Sequence, residues 1–328
     1  LESSSAASDV YKRQMSYEQK IINYFEKNYK KIGDDCAYIN KTKQLISSDT
    51  LVENKHFDLK HFTPHNIAHR LFLSNYSDIQ SSGGVPKYVQ LNISFPNKNY
   101  KFVQEIITNF HRICLRNKVE IIGGDTTSSD KLFLSLTIIS DKINNTKIIK
   151  RSNAKIDDKI YTFSGIGYSK LGYLSLYSKF KLPNNLKNLS VKQFLKPKMY
   201  IYQDIFRHLN ITSCMDLSDS LLSTLETISL KSKKKIKLNN LSSVNSKLYK
   251  FFEKEKYISL ILSSGEEYVP VFTSPKNLLY LNKKKLLIER GIRIVCIGSV
   301  EKGKGVNLKN FNLGKVKKFD HFKNNYFL

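Results

Sequence analysis

Five short settings in this chain place aspartate beside glycine, serine or threonine: Gly33-Asp34-Asp35, Ser47-Ser48-Asp49-Thr50, Ser77-Asp78, Gly123-Gly124-Asp125-Thr126-Thr127 and Asp216-Leu217-Ser218-Asp219. Small neighbours let carboxylates approach one another, and carboxylates cluster closely only where positive charge sits among them. Hard oxygen donors of this kind suit Mg²⁺, which keeps some of its waters and usually binds beside phosphates. The acids therefore point to metal-assisted phosphate chemistry.

Each setting also has a plainer reading. Gly123 to Thr127 reads either as a strand end where glycines admit a ligand to the backbone or as an ordinary Gly-Gly-Asp turn. Along an extended Asp216 to Asp219 segment, Asp216 and Ser218 turn to one side, ahead of a helix start that offers N–H groups to an anion. Ser218 or Asp219 alone could be that helix's cap, which leaves Asp216 unexplained. Asp78 sits among Leu71, Leu73 and Ile79, and a buried aspartate without a cation is costly. Two glycine loops carry little. Gly298 to Gly303-Lys304 follows a strand, but Gly305 stands where a phosphate loop needs Ser or Thr, so it reads as a surface hairpin. Gly165-Ile166-Gly167 lacks the third glycine of a dinucleotide loop. No Ser-His-Asp or Cys-His arrangement stands out, so no covalent catalyst is assigned, and no general base either.

Positioning such groups takes a sizeable core, and 328 residues with 41% hydrophobic and 12% aromatic content can build one. The four cysteines, Cys36, Cys114, Cys214 and Cys296, form no CxxC pair and read as free thiols of a reducing cytoplasm, with no zinc site. No apolar run approaches the ~20 residues that cross a bilayer. The formal charge of +26 raises the question of nucleic acid, but arginine is scarce and the lysines are scattered. Base readout favours clustered arginine, so no nucleic-acid partner is expected. Residues 1–14, Ser/Ala-rich and ahead of Met15, read as a non-native leader.

The periodicity predicts a mixed order of helices and strands. Helices are expected at Tyr17 to Tyr29, Asn66 to Ser82 behind Pro64, Tyr100 to Asn117, Ser169 to Ser178, Met199 to Leu209 and Ser220 to Leu230. Strands are expected at Cys36 to Ile39, Gln44 to Ser47, Tyr88 to Phe95, Lys131 to Ser140, Lys159 to Phe163, Ile258 to Leu262, Val269 to Thr273 and Ile292 to Ile297. Val119 to Ile122 reads as a short buried strand running into the Gly123-Gly124 turn. A break in the apolar pattern over Lys142 to Ala154 divides the chain into an N-terminal domain, 15–150, and a C-terminal domain, 151–328.

Taken in order, the acidic settings resemble the thiamine-monophosphate kinase family, within the superfamily of aminoimidazole ribonucleotide synthetase. Supporting segments are Ser48-Asp49-Thr50-Leu51-Val52 with His56-Phe57, Arg151-Ser152, Ser264-Gly265-Glu266-Glu267-Tyr268 and Asp320-His321-Phe322. The pattern departs from the family's at Ser220, where Gly is usual, at Glu267, where Asp is usual, and at Pro270. The resemblance implies an α/β fold of two domains with mixed sheets and an ATP and metal cleft between them, the N-terminal domain also serving dimerisation. It implies ATP-dependent, Mg²⁺-assisted in-line phosphorylation of thiamine phosphate to thiamine diphosphate, in a cytoplasmic homodimer. By resemblance, Asp35, Ser47, Ser48, Asp49, Asp78, Asp125, Asp216 and Asp219 bind metal. Gly124, Asp125, Arg151 and Ser218 contact ATP, and His56, Glu266 and Phe319 contact thiamine phosphate. A phosphate acceptor is already ionised, which agrees with the lack of a general base. Its repulsion from ATP, ~4 kcal/mol per charge pair at 4 Å, is what the metals would cancel.

Overall fold

The computed structural model describes residues 17–29, 32–142, 148–239 and 241–316. Phe319 and the Asp320 to Phe322 motif lie outside the described residues, as does 1–14.

The first half contains α1 (Tyr17–Asn28), β1 (Ala37–Ile39), β2 (Gln44–Val52), α2 (Pro64–Ser81), β3 (Pro86–Phe95), α3 (Tyr100–Arg116), β4 (Glu120–Ser128) and β5 (Phe133–Ser140). Its strands form one sheet in the order β1-β2-β5-β3-β4, antiparallel except where β4 runs parallel to β3 after the α3 crossover. Alternation along β5 sends Leu134, Leu136 and Ile138 inward, where they meet Ile67, Leu71 and Phe72 of α2 and Val103, Ile106 and Phe110 of α3. Helix α2 starts as its sequence predicts. Thr63 caps it by accepting from the Asn66 N–H at 3.3 Å, and Pro64 opens its first turn.

The second half contains β6 (Lys159–Phe163), α4 (Tyr168–Tyr177), α5 (Asn184–Leu195), α6 (Gln203–Phe206), β7 (Ser213–Asp216), α7 (Leu221–Ser232), β8 (Lys235–Leu238), α8 (Ser246–Phe251), α9 (Lys254–Ser263), β9 (Pro270–Ser274), α10 (Lys285–Glu289), β10 (Ile294–Glu301) and β11 (Gly305–Leu308). Six strands form a second sheet, β11-β8-β10-β6-β9-β7. Each half has its own core, and they interlock. Phe194 of α5 belongs to the core of the first half, and α2 packs against β7 of the second. The architecture is the mixed α/β one expected.

Four expectations are corrected. Ile258 to Leu262 is helical, part of α9, with Ile261 and Leu262 turned into the core. A five-residue apolar run fits a buried helix as well as a buried strand. Helix Met199 to Leu209 shrinks to α6, because backbone groups at 200 and 202 are committed to Gln80 of α2. The segment at Gly298 to Lys304 is no hairpin, since β10 and β11 do not pair with each other but flank β8. Finally, strand β4 neither is buried nor stops at Gly123-Gly124. It continues to Ser128 as an exposed edge strand, with Gly124 at φ +152° where a Cβ would lie 1.8 Å from the Leu91 carbonyl oxygen.

Candidate active site

Three carboxylates meet where the halves join. Asp35 precedes β1, Asp78 lies in the last turns of α2 and Asp216 ends β7, and one oxygen from each falls within 4.8 Å of the others. Hydroxyls orient all three. Ser47 on β2 donates to Asp78 Oδ2 at 2.6 Å, Ser77 to Asp216 Oδ2 at 2.8 Å and Ser81 to Asp35 Oδ2 at 3.0 Å. Asp49 is set nearby, its backbone N–H donating to Asn75 Oδ1 at 3.1 Å. Helix α2 thus turns a polar stripe, Ser74, Asn75, Ser77, Asp78 and Ser81, into the junction.

The electrostatics are those of a site short of positive charge. Burial pushes the Asp78 carboxyl well above its ordinary pKa, and the charge of Asp216 adds to this. Asp216 is likewise raised by burial and then by Asp35. Burial also raises Asp35, opposed by Arg151, whose Nε donates to Asp35 Oδ1 at 2.9 Å and whose Nη2 pairs with the same oxygen. Burial works against the Arg151 charge, but Asp35 more than offsets it, and the guanidinium pKa ends above its usual value. One arginine against three carboxylates leaves a net negative pocket. Its hard oxygens fit a divalent cation of the Mg²⁺ type.

Other residues singled out from the sequence lie apart from this cluster. Ser48 is next to Ser47 on a strand and so faces the opposite, exposed side of the sheet, 3.1 Å from Thr137 Oγ1. Gly124 and Asp125 are on β4, three strands from Asp49, about 14 Å along the sheet at ordinary spacing. Asp219 is exposed and outside the three-carboxylate group. The cap of α7 is neither Ser218 nor Asp219 but Ser220, whose Oγ accepts from the Ser223 N–H at 3.2 Å. A serine where the family usually has glycine thus strengthens the helix start. His56 Nδ1 accepts from the Val52 N–H at 2.9 Å within the turn after β2.

The turn Ser264 to Tyr268 docks against Leu217 to Asp219. Glu266 N–H donates to the Ser218 carbonyl at 2.5 Å, and Tyr268 N–H to the Leu217 carbonyl at 2.9 Å. Glu267, the departure from the family pattern, is buried and accepts from Ser264 Oγ at 2.6 Å and the Gly167 N–H at 2.7 Å. Burial lifts its carboxyl to about 7. Pro270 takes the first position of β9, opposite Asp216, where a missing N–H is tolerated. Sequence reasoning missed Asn75, Ser81 and Arg70. Their signal was a row of polar residues inside an otherwise apolar helix.

Fold and pocket together define a class: a two-sheet α/β protein with a cation-attracting carboxylate pocket between its halves. Residues 33–140 match the family described as AIR synthase related protein, N-terminal domain. A thiamine-monophosphate kinase of Buchnera aphidicola subsp. Schizaphis graminum is 35% identical, over 94% of this chain and 100% of the relative. That of Buchnera aphidicola subsp. Acyrthosiphon pisum is 32% identical, over 92% and 97%. Among solved structures, one described as AaThiL complexed with AMPPCP and TMP superposes with a TM-score of 0.77 at 24% identity, covering 94% of this chain and 98% of that one. The chain belongs to the thiamine-monophosphate kinase family.

Proposed function

We propose that the protein transfers the γ-phosphoryl group of ATP to thiamine phosphate, giving thiamine diphosphate. The observation that carries this reading is the meeting of Asp35, Asp78 and Asp216 in a pocket of net negative charge, in a chain of this family. Asp35, Asp78 and Asp216 would hold Mg²⁺, oriented by Ser81, Ser47 and Ser77. The bound ions would neutralise and align the two anionic substrates. Arg151, which pairs with Asp35, would take a phosphate oxygen when a cation replaces it at that carboxylate. Asp49, Asp125, Asp219 and Ser48 complete the proposed metal-binding set, and Gly124 and Ser218 the ATP contacts. His56, Glu266 and Phe319 form the proposed acceptor side. No group has to remove a proton, because the attacking oxygen is already ionised.

The test is ADP release with thiamine phosphate and Mg²⁺. Release well above the ATP-only rate is expected, and release at the ATP-only rate would overturn the reading. Mg²⁺-ATP should also stabilise the folded protein by about 2.7 kcal/mol at a hundred times its dissociation constant, read as a rise in melting temperature.

We further propose domains at 15–150 and 151–328, a cytoplasmic location and a homodimer through the first half. Among the described residues no helix is long and apolar enough to cross a membrane. Support for the dimer comes from β4, which among the described residues is an edge strand that offers a row of backbone groups to a partner, with Ile121 and Ile122 40% and 46% exposed. Ile122→Glu is expected to shift the protein from dimer to monomer in sedimentation velocity, and an unchanged dimer would place the interface elsewhere.

A further inference from the structure

Helix α2 has a second charged group, on the far side of the carboxylate pocket. Arg70 is fully buried, its guanidinium lying against the rings of Phe62 and Phe194, 4.9 and 5.0 Å from their centroids, while the two rings themselves meet edge to face at 5.6 Å. It forms an ion pair with Glu266 and donates to the Phe194 carbonyl. A cation in such surroundings is costly without a counter-charge, so the pair ties Glu266 firmly to α2.

The turn that presents Glu266 needs such a tie. Glu266 and Tyr268 both adopt left-handed backbone, at φ +53° and +50°, which non-glycine residues disfavour. One flank is held by backbone bonds to Leu217 and Ser218, immediately after Asp216, and by Glu267 at the start of α4. The turn's tie to α2 is the ion pair of the Glu266 carboxylate with Arg70. Arg70 and Asp78 are eight residues apart on one rigid helix, about 12 Å along its axis.

We propose that Arg70 is a positioning residue: through Glu266 it fixes the separation between the acceptor-side turn 264–268 and the carboxylate of Asp78. This rests on the reading of Glu266 as part of the acceptor side. The planar guanidinium can meet Glu266, the Phe194 carbonyl and both rings at once, whereas a lysine ammonium cannot.

The test combines kinetics of Arg70→Gln, Arg70→Lys, Glu266→Gln and the double variant Arg70→Gln/Glu266→Gln with amide hydrogen exchange. Arg70→Gln is expected to lower kcat/KM for thiamine phosphate by about 100-fold, the scale of a 1 Å misplacement, with KM for ATP changed by no more than about two-fold. Arg70→Lys should recover only part of the loss, and the double variant should be no worse than Arg70→Gln alone. Exchange should quicken at 264–268 and stay unchanged around Asp78. Multiplying effects in the double variant, a matching rise in KM for ATP, or unchanged exchange in the turn would each overturn the proposal. If wild type fails to phosphorylate thiamine phosphate, the functional reading falls, while the exchange arm still decides the positioning role. If Arg70→Gln does not fold, Glu266→Gln, which keeps the arginine against its two rings, must loosen the same turn.

Discussion

Replacing Asp78 with asparagine is expected to abolish thiamine phosphate phosphorylation while raising the melting temperature of the metal-free protein. Two unit charges 4.8 Å apart repel by about 3.5 kcal/mol at an effective dielectric near 20, and Asp78 faces both Asp35 and Asp216 at or within that distance. Asparagine keeps the volume and an acceptor for the Ser47 hydroxyl but removes the charge. Turnover should fall by about 10³-fold or more, the scale of losing one preorganised charge from a phosphoryl-transfer site. The pH dependence has a defined sign. The folded-state pKa values of Asp35, Asp78 and Asp216 are all raised by burial, so protonation favours the folded state. Their contribution to metal-free stability is fully present below the unfolded carboxyl value near ~3.9 and is lost as pH rises through each folded value. Thermal melts in EDTA should therefore show wild type losing stability with rising pH more steeply than Asp78→Asn. Saturating Mg²⁺ should stabilise wild type and leave the variant largely unmoved. A variant that melts below wild type in EDTA, or that keeps its Mg²⁺ response, would sink this account of the pocket.

That pocket was partly legible from sequence, for a physical reason. Asp35, Asp78 and Asp216 stand beside small residues or hydroxyls in the chain, but the hydroxyls that orient them, Ser81, Ser47 and Ser77, come from 46, 31 and 139 positions away. The strand period also separates Ser47, which faces the carboxylates, from Ser48, which faces the exposed side, a difference that the motif alone does not carry. Long amphipathic helices such as α3 were readable because their apolar face repeats over several turns. The run Ile258 to Leu262 was too short to show a period, and its helical form is set by what it packs against. Arg70 was invisible as a functional residue because two of its partners, Phe194 and Glu266, are 124 and 196 positions away and meet it only when the two halves dock. The exposure of β4 was hidden for a related reason. Its start, where Val119, Ile121 and Ile122 surround a single Glu120, looks like core, and only the sheet order shows it to be an edge.

The second large effect is expected at Gly265. A Cβ at this position would lie 1.7 Å from the Asp219 carbonyl oxygen, 2.5 Å from its carbon and 2.7 Å from the Ser218 oxygen. All three are backbone atoms, so no side-chain rotation relieves the clash. Gly265→Ala must push the 264–268 turn away from the segment that follows Asp216. The Glu266 bond to the Ser218 carbonyl and the Tyr268 bond to the Leu217 carbonyl would be the first to break. Unfolding in urea should show a loss of about 2–4 kcal/mol, the upper range for a single overpacked site. Because the displaced turn carries Glu266, the loss of kcat/KM should be larger for thiamine phosphate than for ATP. Gly123→Ala supplies the comparison, since a Cβ there meets only the Gln90 side-chain nitrogen at 3.9 Å. Its stability should stay within about 0.5 kcal/mol of wild type. Equal stability of the two variants would mean that the turn is not pressed against the Asp216 segment, and with it the route by which Glu266 is aimed would fall.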